Sequence, residues 1–215
     1  MNYKAAIFDF DGTLCNTLPD IAAAGNHALA ALGFPGYSVP EYRYFVGEGV
    51  VRLMERILPE GHRDAETVEK LRGIYGGYYK EHIDGLTAPY AGISELLEAL
   101  AARGVQLAVL SNKDDPDTKK LAREFFPGRF AAVYGVRPGV PRKPAPEAPL
   151  ALAAEFGVAP KEVLFIGDSK FDIETARNAG MDSCGVLWGF RDRAELEAAG
   201  ATHIVAEPDE ILSLF

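Results

Sequence analysis

The chain alternates between strand-like and helix-like segments from Pro89 to its end, and this alternation constrains its fold more than any other feature. Short apolar runs predict strands, and the longer amphipathic segments between them predict helices. The predicted strands lie near 105–110, 131–134, 163–166, 183–187 and 203–205. The predicted helices lie near 92–102, 116–125, 146–156, 173–179 and 193–199. Because parallel strands need a crossover between them, this order predicts a parallel sheet with helices on both faces.

One further strand is predicted at Ala5–Phe8, and a long helical stretch separates it from the other strands. No segment of that stretch, from Thr17 to about Asp84, favours a strand. Its predicted helices run from Pro19 to about Leu32, from 50 to 58 and from 64 to 81. We therefore predict a doubly wound α/β core with an inserted all-helical domain. The predicted bounds are 1–16 and 85–215 for the core and 17–84 for the helical domain.

Asp9 and Asp11 directly follow the first predicted strand, and Gly12 marks the point where the chain turns away. Since side chains alternate along a strand, both carboxylates lean toward the same side of its end. Such a pair is costly to desolvate unless a cation lies beside it, and Mg²⁺ is the hard, oxygen-seeking cation common in phosphate chemistry. One aspartate could then attack as a nucleophile while the other transfers a proton. The alternative is a plain turn with two solvated aspartates.

Three further polar segments follow predicted strands, and each carries groups suited to phosphate or metal binding. They are Ser111-Asn112-Lys113, Arg142-Lys143-Pro144, and Gly167-Asp168-Ser169 with Asp172. In open parallel sheets, ligands bind at the carboxyl ends of the strands, where these segments would meet. A hydroxyl and backbone amides can hold phosphate oxygens, a lysine supplies positive charge, and carboxylates complete a metal site.

This ordered set of segments resembles the four motifs of the haloacid dehalogenase-type phosphohydrolase superfamily, and the resemblance covers nearly the whole chain. It implies a Rossmann-like core, a helical cap inserted after the first motif, and hydrolysis through an aspartyl phosphate. It also implies that Asp9 is the nucleophile and that Asp11 is first the general acid and then the general base. Lys143 would offset negative charge on the nucleophile and the phosphate. Taken alone, Lys143 could equally be a solvated loop lysine.

The resemblance also implies a phosphate-binding set. The Ser111 hydroxyl and the backbone amide of Asn112 would hold the transferring phosphoryl group, and Thr13 of the first motif is included as a substrate-binding residue. The alternative for Ser111 and Asn112 is a helix N-cap, since both residue types suit that position.

The resemblance places Mg²⁺ as the cofactor. Asp168 would bind it together with the Asp9 carboxylate and the main-chain carbonyl of Asp11. Asp172 would be an outer acidic residue of the same metal site, which orients metal-bound water more readily than it ligates. The alternative for Asp172 is a cap of the helix that follows it.

Two other segments resemble phosphoglycolate phosphatases: the helical insert around Val46–Gly49 and the late segment Trp188–Arg191. Glycines in the insert would let its backbone approach a ligand closely, and an arginine there could pair with a substrate carboxylate. The candidate substrate contacts are Gly47, Glu48, Gly49 and Arg52. The alternatives are an ordinary turn between helices and a surface arginine.

Composition limits the partners and the compartment. The net charge of −9 over 215 residues argues against a nucleic acid or an anionic membrane, because both need a basic face. Met1–Lys4 leads directly into the first strand, so we expect no signal peptide. Cys15 and Cys184 are too few for a disulfide framework, which favours a reducing compartment such as the cytoplasm. The expected partner is a small phosphorylated metabolite, and the chain is expected to be a monomer or a homodimer.

Other functions remain open on the sequence. A phosphoglucomutase-like phosphotransferase or a pyrophosphatase would share the same core. A haloacid dehalogenase would need neither a proton donor nor a metal, which leaves Asp11, Asp168 and Asp172 without a role. A non-enzymatic protein that only carries a phosphoaspartate would need no second acid beside the nucleophile and no inserted cap.

Overall fold

The computed structural model describes residues 3–215. Met1 and Asn2, which belong to the predicted core range, lie outside these residues. The strands are β1 (Ala5–Phe8), β2 (Cys15–Asn16), β3 (Ala88–Pro89), β4 (Gln106–Asp114), β5 (Ala132–Val136), β6 (Val163–Gly167), β7 (Asp182–Val186) and β8 (His203–Val205). The helices are α1 (Leu18–Ala31), α2 (Val39–Tyr42), α3 (Val50–Ile57), α4 (Ala65–His82), α5 (Ile93–Ala102), α6 (Asp115–Phe125), α7 (Glu147–Glu155), α8 (Lys170–Ala179) and α9 (Arg193–Ala199). Two 3₁₀ helices span Pro160–Glu162 and Pro208–Leu214.

A six-stranded parallel sheet in the order β5-β4-β1-β6-β7-β8 forms the centre of the core. Ala5 of β1 pairs with Gln106 of β4 on one side and with Val163 of β6 on the other. The chain runs outward from β1 through β4 to β5, and then returns to the opposite side of β1. With right-handed crossovers this reversal puts helices on both faces, so the prediction of a doubly wound α/β core is confirmed.

The strand β1 is the natural place for a ligand site, because the strand order reverses around it. Its four residues are all buried, as are the five of β6. Continuous apolar strands of this kind belong to the middle of a parallel sheet that is covered on both faces. The large side chains of Phe8 and Phe165 fill the interior, and truncating either to alanine would cost about 3–5 kcal/mol. Packing of this density makes β1 a rigid support for the residues after it.

The chain divides into two compact units. One comprises the chain up to Asn16 together with Pro89–Phe215, and the other is Thr17–Ala88. The second unit is helical, and its α1 packs against α4. Its end lies four residues beyond the predicted Asp84, because the backbone N–H groups of Leu86 and Thr87 donate to the buried Asp20 carboxylate at 3.0 and 2.7 Å.

Several elements differ from the predicted ones. Strand β4 continues to Asp114 instead of ending near 110, with an irregular register against β5 beyond Leu110. Helix α8 begins at Lys170, three residues earlier than predicted, because Ser169 caps it. Helix α2 and the paired two-residue strands β2 and β3 were not predicted, since elements this short carry no periodic pattern. None of the helices described between residues 3 and 215 has the length and apolar character needed to cross a bilayer.

Candidate active site

The first motif lies at the carboxyl edge of the central strand. The Asp9 N–H donates to the Ile166 carbonyl at 2.8 Å, so pairing with β6 continues one residue beyond β1 and fixes the Asp9 backbone. The chain then turns at Gly12, whose φ of 85° is unfavourable for other residues. A Cβ at Gly12 would lie 2.4 Å from Asp168 Oδ2, so this turn also requires glycine for space.

Three buried carboxylates, those of Asp9, Asp168 and Asp172, form a cluster at this edge. Each offers one oxygen, and these oxygens lie within 4.8 Å of one another. Burial raises the pKa of Asp168, and the neighbouring Asp172 and Asp9 raise it further. Burial likewise raises the pKa of Asp9 to about 7, against the effect of the nearby Lys143 ammonium. Buried carboxylates this close together repel one another, and a divalent cation between them would offset that repulsion. Carboxylate oxygens are also hard donors that such cations prefer, so the cluster can serve as a metal site.

Lys143 supplies positive charge to this cluster. Its Nζ lies 2.9 Å from Asp9 Oδ1 and 2.7 Å from Asp172 Oδ1. Burial disfavours a charged lysine, but Asp172 and Asp9 raise the pKa of Lys143 above its ordinary value, so the ammonium stays protonated. The side chain is only 3% exposed, which rules out a solvated loop lysine. When all three carboxylates are ionised, this one ammonium does not neutralise the cluster.

Asn112 fixes the backbone of Lys143. Its side-chain amide donates to the Lys143 carbonyl at 3.2 Å and accepts from the Lys143 N–H at 3.0 Å. Ser111 is buried beside it, and its hydroxyl accepts from the Lys113 N–H at 3.2 Å. The N-cap of α6 is Asp114, so Ser111 and Asn112 are strand residues and the N-cap alternative is wrong.

Asp172 caps a helix and also contacts Lys143, while its role in a metal site stays a prediction. Its Oδ2 accepts from the N–H and the hydroxyl of Ser169, at 3.0 and 2.7 Å, and so completes the cap of α8. Its Oδ1 accepts from Lys143. A Cβ at Gly167 would lie 2.2 Å from Asp172 Cγ, so the end of β6 must be glycine for this carboxylate to fit. Helix capping therefore fixes the carboxylate that orients Lys143.

The loop Trp188–Arg191 positions Asp168 of the carboxylate cluster, a role that was missed on the sequence. The Phe190 N–H donates to Asp168 Oδ2 at 2.7 Å, and the Trp188 indole N–H donates to the Thr13 carbonyl at 3.0 Å. Between them, a Cβ at Gly189 would lie 2.2 Å from Asp168 Cβ. The available signal was a glycine between two aromatic residues just after a strand, which indicates close backbone approach.

Lys113 was also missed as a site residue. Its Nζ lies 3.0 Å from Asp11 Oδ2, and its side chain is 7% exposed. The other oxygen, Asp11 Oδ1, is buried and has no hydrogen-bond partner within residues 3–215. The Asp11 carboxylate does not belong to the cluster of Asp9, Asp168 and Asp172, and the metal contact predicted for its main-chain carbonyl stays a prediction. Thr13 is fully buried, and its hydroxyl likewise has no partner among the described residues.

The predicted substrate contacts of the helical unit lie before and within α3. Gly47 and Gly49 have φ values of 113° and 83°, which other residues adopt only under strain. Glu48 pairs with Arg56, and Arg52 pairs with Glu55 at 2.5 Å on an exposed face. These ion pairs are internal to the helical unit, and the role of this segment in substrate binding stays a prediction.

Comparisons with known proteins agree with this architecture. A sequence profile described as "Haloacid dehalogenase-like hydrolase" matches residues 6–186. A phosphoglycolate phosphatase of Neisseria meningitidis is 34% identical over 214 residues, which cover 97% of this chain and 89% of the relative. A second one, of Thiobacillus denitrificans, is 35% identical over 212 residues, with 95% and 93% coverage.

A crystal structure of a proposed phosphoglycolate phosphatase from Lactobacillus delbrueckii superposes with a TM-score of 0.95 at 35% identity. The match covers 100% of this chain and 98% of the other. The sequence profile spans most of the chain, and the similarity to relatives extends over both units. The chain is an enzyme that belongs to the haloacid dehalogenase-like hydrolase family.

Proposed function

We propose that this enzyme is a Mg²⁺-dependent phosphomonoester hydrolase that acts through an aspartyl phosphate on Asp9. The observation that carries the proposal is the buried contact of Lys143 with both Asp9 and Asp172, beside Asp168. It combines a held carboxylate nucleophile with a donor set for a divalent cation.

The contacts of Asp9 support one of its two oxygens as the attacking atom. Lys143 Nζ and the Phe10 N–H both contact Asp9 Oδ1, at 2.9 and 2.7 Å. These contacts orient the carboxylate and leave Oδ2 as the oxygen that attacks phosphorus. Lys143 also offsets part of the charge that accumulates as the two anionic groups approach each other.

Two displacements complete the reaction. In the first, Asp9 Oδ2 forms a bond to phosphorus, the bond to the ester oxygen breaks, and the Asp11 carboxyl protonates the leaving alkoxide. In the second, the Asp11 carboxylate takes a proton from water, and the resulting hydroxide attacks phosphorus. The bond to Asp9 then breaks, which releases inorganic phosphate and restores both carboxyl groups to their starting states.

The remaining core residues hold the phosphoryl group and the cation. Asp9, Asp168 and the main-chain carbonyl of Asp11 would bind Mg²⁺, with Asp172 as an outer acidic residue. When bound, Mg²⁺ would offset charge on the phosphoryl oxygens. Ser111, the Asn112 backbone amide and Thr13 would hold those oxygens; the buried and unpartnered Thr13 hydroxyl supports this assignment.

The proposed substrate is phosphoglycolate, or a small phosphorylated metabolite of similar size, because the relatives named above carry that name. Selection among phosphoesters is assigned to the helical unit, through Gly47, Glu48, Gly49 and Arg52. We place the reaction in the cytoplasm and propose neither a nucleic acid nor a membrane as a partner, in line with the net charge of −9.

A substrate panel tests this function. Phosphoglycolate, other small phosphate esters, pyrophosphate and a sugar phosphate with its bisphosphate activator are assayed with Mg²⁺, and kcat/KM is compared. We expect phosphoglycolate to have the highest value and mass spectrometry of rapidly quenched enzyme to find phosphate on Asp9. Activity that requires a bisphosphate activator would replace the hydrolase with a phosphotransferase, and the absence of turnover on every ester would overturn the proposal.

A further inference from the structure

Each aspartate of the first motif has its own lysine. Lys143 contacts Asp9, and Lys113 contacts Asp11 at 3.0 Å. Lys113 lies on β4, which pairs directly with β1, and its N–H donates to the Ser111 hydroxyl at 3.2 Å. The backbone that carries the Lys113 side chain is therefore held in place by the sheet. The Lys113 side chain is 7% exposed, and that of Asp11 is 20% exposed.

Asp11 needs such a partner because little else holds its side chain. Its Oδ1 is buried without a hydrogen bond among the described residues, while its Oδ2 pairs with Lys113. Asp9, Asp168 and Asp172 form the metal cluster without it. A divalent cation bound there would attract any nearby mobile carboxylate, since carboxylate oxygens are its preferred ligands. An Asp11 carboxylate drawn toward the cation could no longer exchange protons with the leaving group or with water.

We propose that Lys113 is a positioning residue for Asp11. It holds the Asp11 carboxylate beside the oxygen of the leaving group or of the attacking water, and away from the cation site formed by Asp9, Asp168 and Asp172. This inference rests on the proposed function, in which Asp11 transfers protons. It separates the four acidic residues of the site into two groups. Three gather around the cation, and the fourth is kept by Lys113 for proton transfer.

A comparison of two phosphate esters with different leaving groups tests this role. Lys113→Met removes the ammonium and nearly keeps the length of the side chain. Lys113→Gln is made in parallel, so that the test can still be carried out if only one of the two variants folds. The substrates are p-nitrophenyl phosphate, whose leaving group needs little protonation, and ethyl phosphate, whose leaving group needs much. We expect kcat/KM for ethyl phosphate, which reports the first displacement alone, to fall at least about tenfold more than kcat/KM for the aryl ester, because displacing a reacting group by about 1 Å can cost about 10²-fold in rate. Equal losses for both esters would overturn the inference.

Phosphoglycolate, assayed beside ethyl phosphate, excludes a contact between Lys113 and the substrate. Both esters have poor leaving groups, but only phosphoglycolate carries a carboxylate. Positioning of Asp11 lowers kcat/KM for both by a similar factor. A loss confined to phosphoglycolate and expressed in KM would make Lys113 a substrate-binding residue and would overturn the proposal. The matched control is Lys119→Met, which removes an ion pair to Asp115 of 2.7 Å on α6 and should leave both kcat/KM values unchanged.

A double-mutant cycle separates this inference from the proposed function. In the Asp11→Asn background, we expect Lys113→Met to cause no further selective loss on ethyl phosphate, because the group it positions is gone. If Asp11→Asn itself lowers kcat/KM equally for both esters, proton transfer by Asp11 to the leaving group fails and the proposed function needs revision. If Asp11→Asn is selective but Lys113→Met is not, only the role of Lys113 is wrong.

Metal binding gives a readout that does not depend on turnover. Titration calorimetry of the chelated protein with Mg²⁺ compares wild type, Lys113→Met, Asp11→Asn and the double variant. We expect Lys113→Met to bind Mg²⁺ several-fold more tightly, since the released carboxylate is a further oxygen ligand. The double variant should bind Mg²⁺ no more tightly than Asp11→Asn alone. A gain that persists without the Asp11 carboxylate would show that Lys113 acts only through its charge and would overturn the positioning role.

Discussion

Asp9 is the residue whose replacement should affect turnover most directly. Lys143 Nζ and the Phe10 N–H both contact its Oδ1, which leaves Oδ2 as the proposed nucleophile. Asp9→Asn keeps the size of the side chain but removes the anionic oxygen and one ligand of the metal cluster. We expect kcat to fall by at least about 10³-fold, as for other nucleophile replacements. The measurement is steady-state kinetics on a sample shown by mass spectrometry to be free of deamidation. Near wild-type turnover in that sample would contradict the covalent mechanism.

Gly189 is the second residue whose replacement has a defined consequence. A Cβ there would lie 2.2 Å from Asp168 Cβ and 2.5 Å from the Gly12 carbonyl, so Gly189→Ala must displace the Asp168 carboxylate or the loop that donates to it. We expect the Kd for Mg²⁺ to rise by about 10–100-fold, the usual cost of disturbing an outer contact of a metal ligand. The fluorescence of Trp188, the only tryptophan of the chain, or calorimetry reports this constant.

The matched control for Gly189→Ala is Gly76→Ala, at a position in α4 where a Cβ meets nothing within 4 Å. It should leave the Kd for Mg²⁺ unchanged. An unchanged Kd in Gly189→Ala as well would show that the loop does not position Asp168.

Site residues that follow predicted strands could be identified from the sequence, whereas those that contact the site from other parts of the chain could not. Residues placed at strand ends were predictable, because parallel strands bring their carboxyl ends to one edge of the sheet, and Asp9, Lys143, Asp168 and Asp172 do meet there. The Phe190 N–H was not predictable, since a backbone donor is common to almost every residue and carries no signature. Lys113 was visible only as a charge beside a motif.

At the scale of elements, a buried carboxylate joins the two ends of the helical unit. Asp20 near the start of α1 accepts from Leu86 N–H, Thr87 N–H and the Thr87 hydroxyl, at 2.7–3.0 Å. Asp20→Ala would leave these donors buried or poorly paired, at a cost of about 3 kcal/mol in the free energy of unfolding. Chemical denaturation measures this loss, and hydrogen exchange should localise it to the amides of Leu86 and Thr87.

Asp64→Ala is the control for the Asp20 variant. Asp64 is the exposed N-cap of α4, where its side chain accepts from Thr67 N–H. The loss of an N-cap of this kind typically costs about 1 kcal/mol. Equal losses in the two variants would mean that Asp20 contributes no more than an ordinary helix cap.

The end of β4 shows why a local sequence pattern does not predict the full length of a strand. The periodicity of β4 ends near Leu110, yet the strand continues through Ser111 and Asn112 to Asp114. Asn112 is held in this extended segment by a residue from elsewhere in the chain, since its side chain accepts from the Lys143 N–H. Apolar alternation therefore predicts the buried half of a strand, while the functional half is set by contacts with residues distant in the chain.

For the whole molecule, the cation is expected to affect stability as well as turnover. Chelation leaves the Asp9, Asp168 and Asp172 carboxylates crowded with one ammonium, so Mg²⁺ should raise the melting temperature of the chelated protein. Free Mg²⁺ at about 100 times its Kd should stabilise the fold by about 2.7 kcal/mol. Chelation should also abolish turnover, and Ca²⁺ should stabilise the protein while supporting little turnover, because its larger and looser ligand shell suits the site less well. Full activity after exhaustive chelation would rule out a catalytic metal.

The division into two units predicts where substrate selection arises. The proposed roles of the core residues involve only the phosphoryl group, the ester oxygen and the cation, so these residues should treat most phosphomonoesters alike. Discrimination is then expected from the helical unit, and Gly47 is the position to test, because its φ of 113° excludes a β-branched residue without local rearrangement. We expect Gly47→Val to lower kcat/KM for phosphoglycolate by about tenfold or more and to lower it distinctly less for p-nitrophenyl phosphate.

Gly61→Val is the matched control, since Gly61 lies in the same unit with a φ of 88° and a Cβ there meets nothing within 4 Å. It carries the same backbone strain as Gly47→Val and should lower kcat/KM equally little for both substrates. If Gly47→Val behaves like this control in a folded protein, the segment before α3 is an ordinary turn. Substrate selection must then be sought elsewhere in Thr17–Ala88, and the preference for phosphoglycolate would rest on the names of the relatives alone.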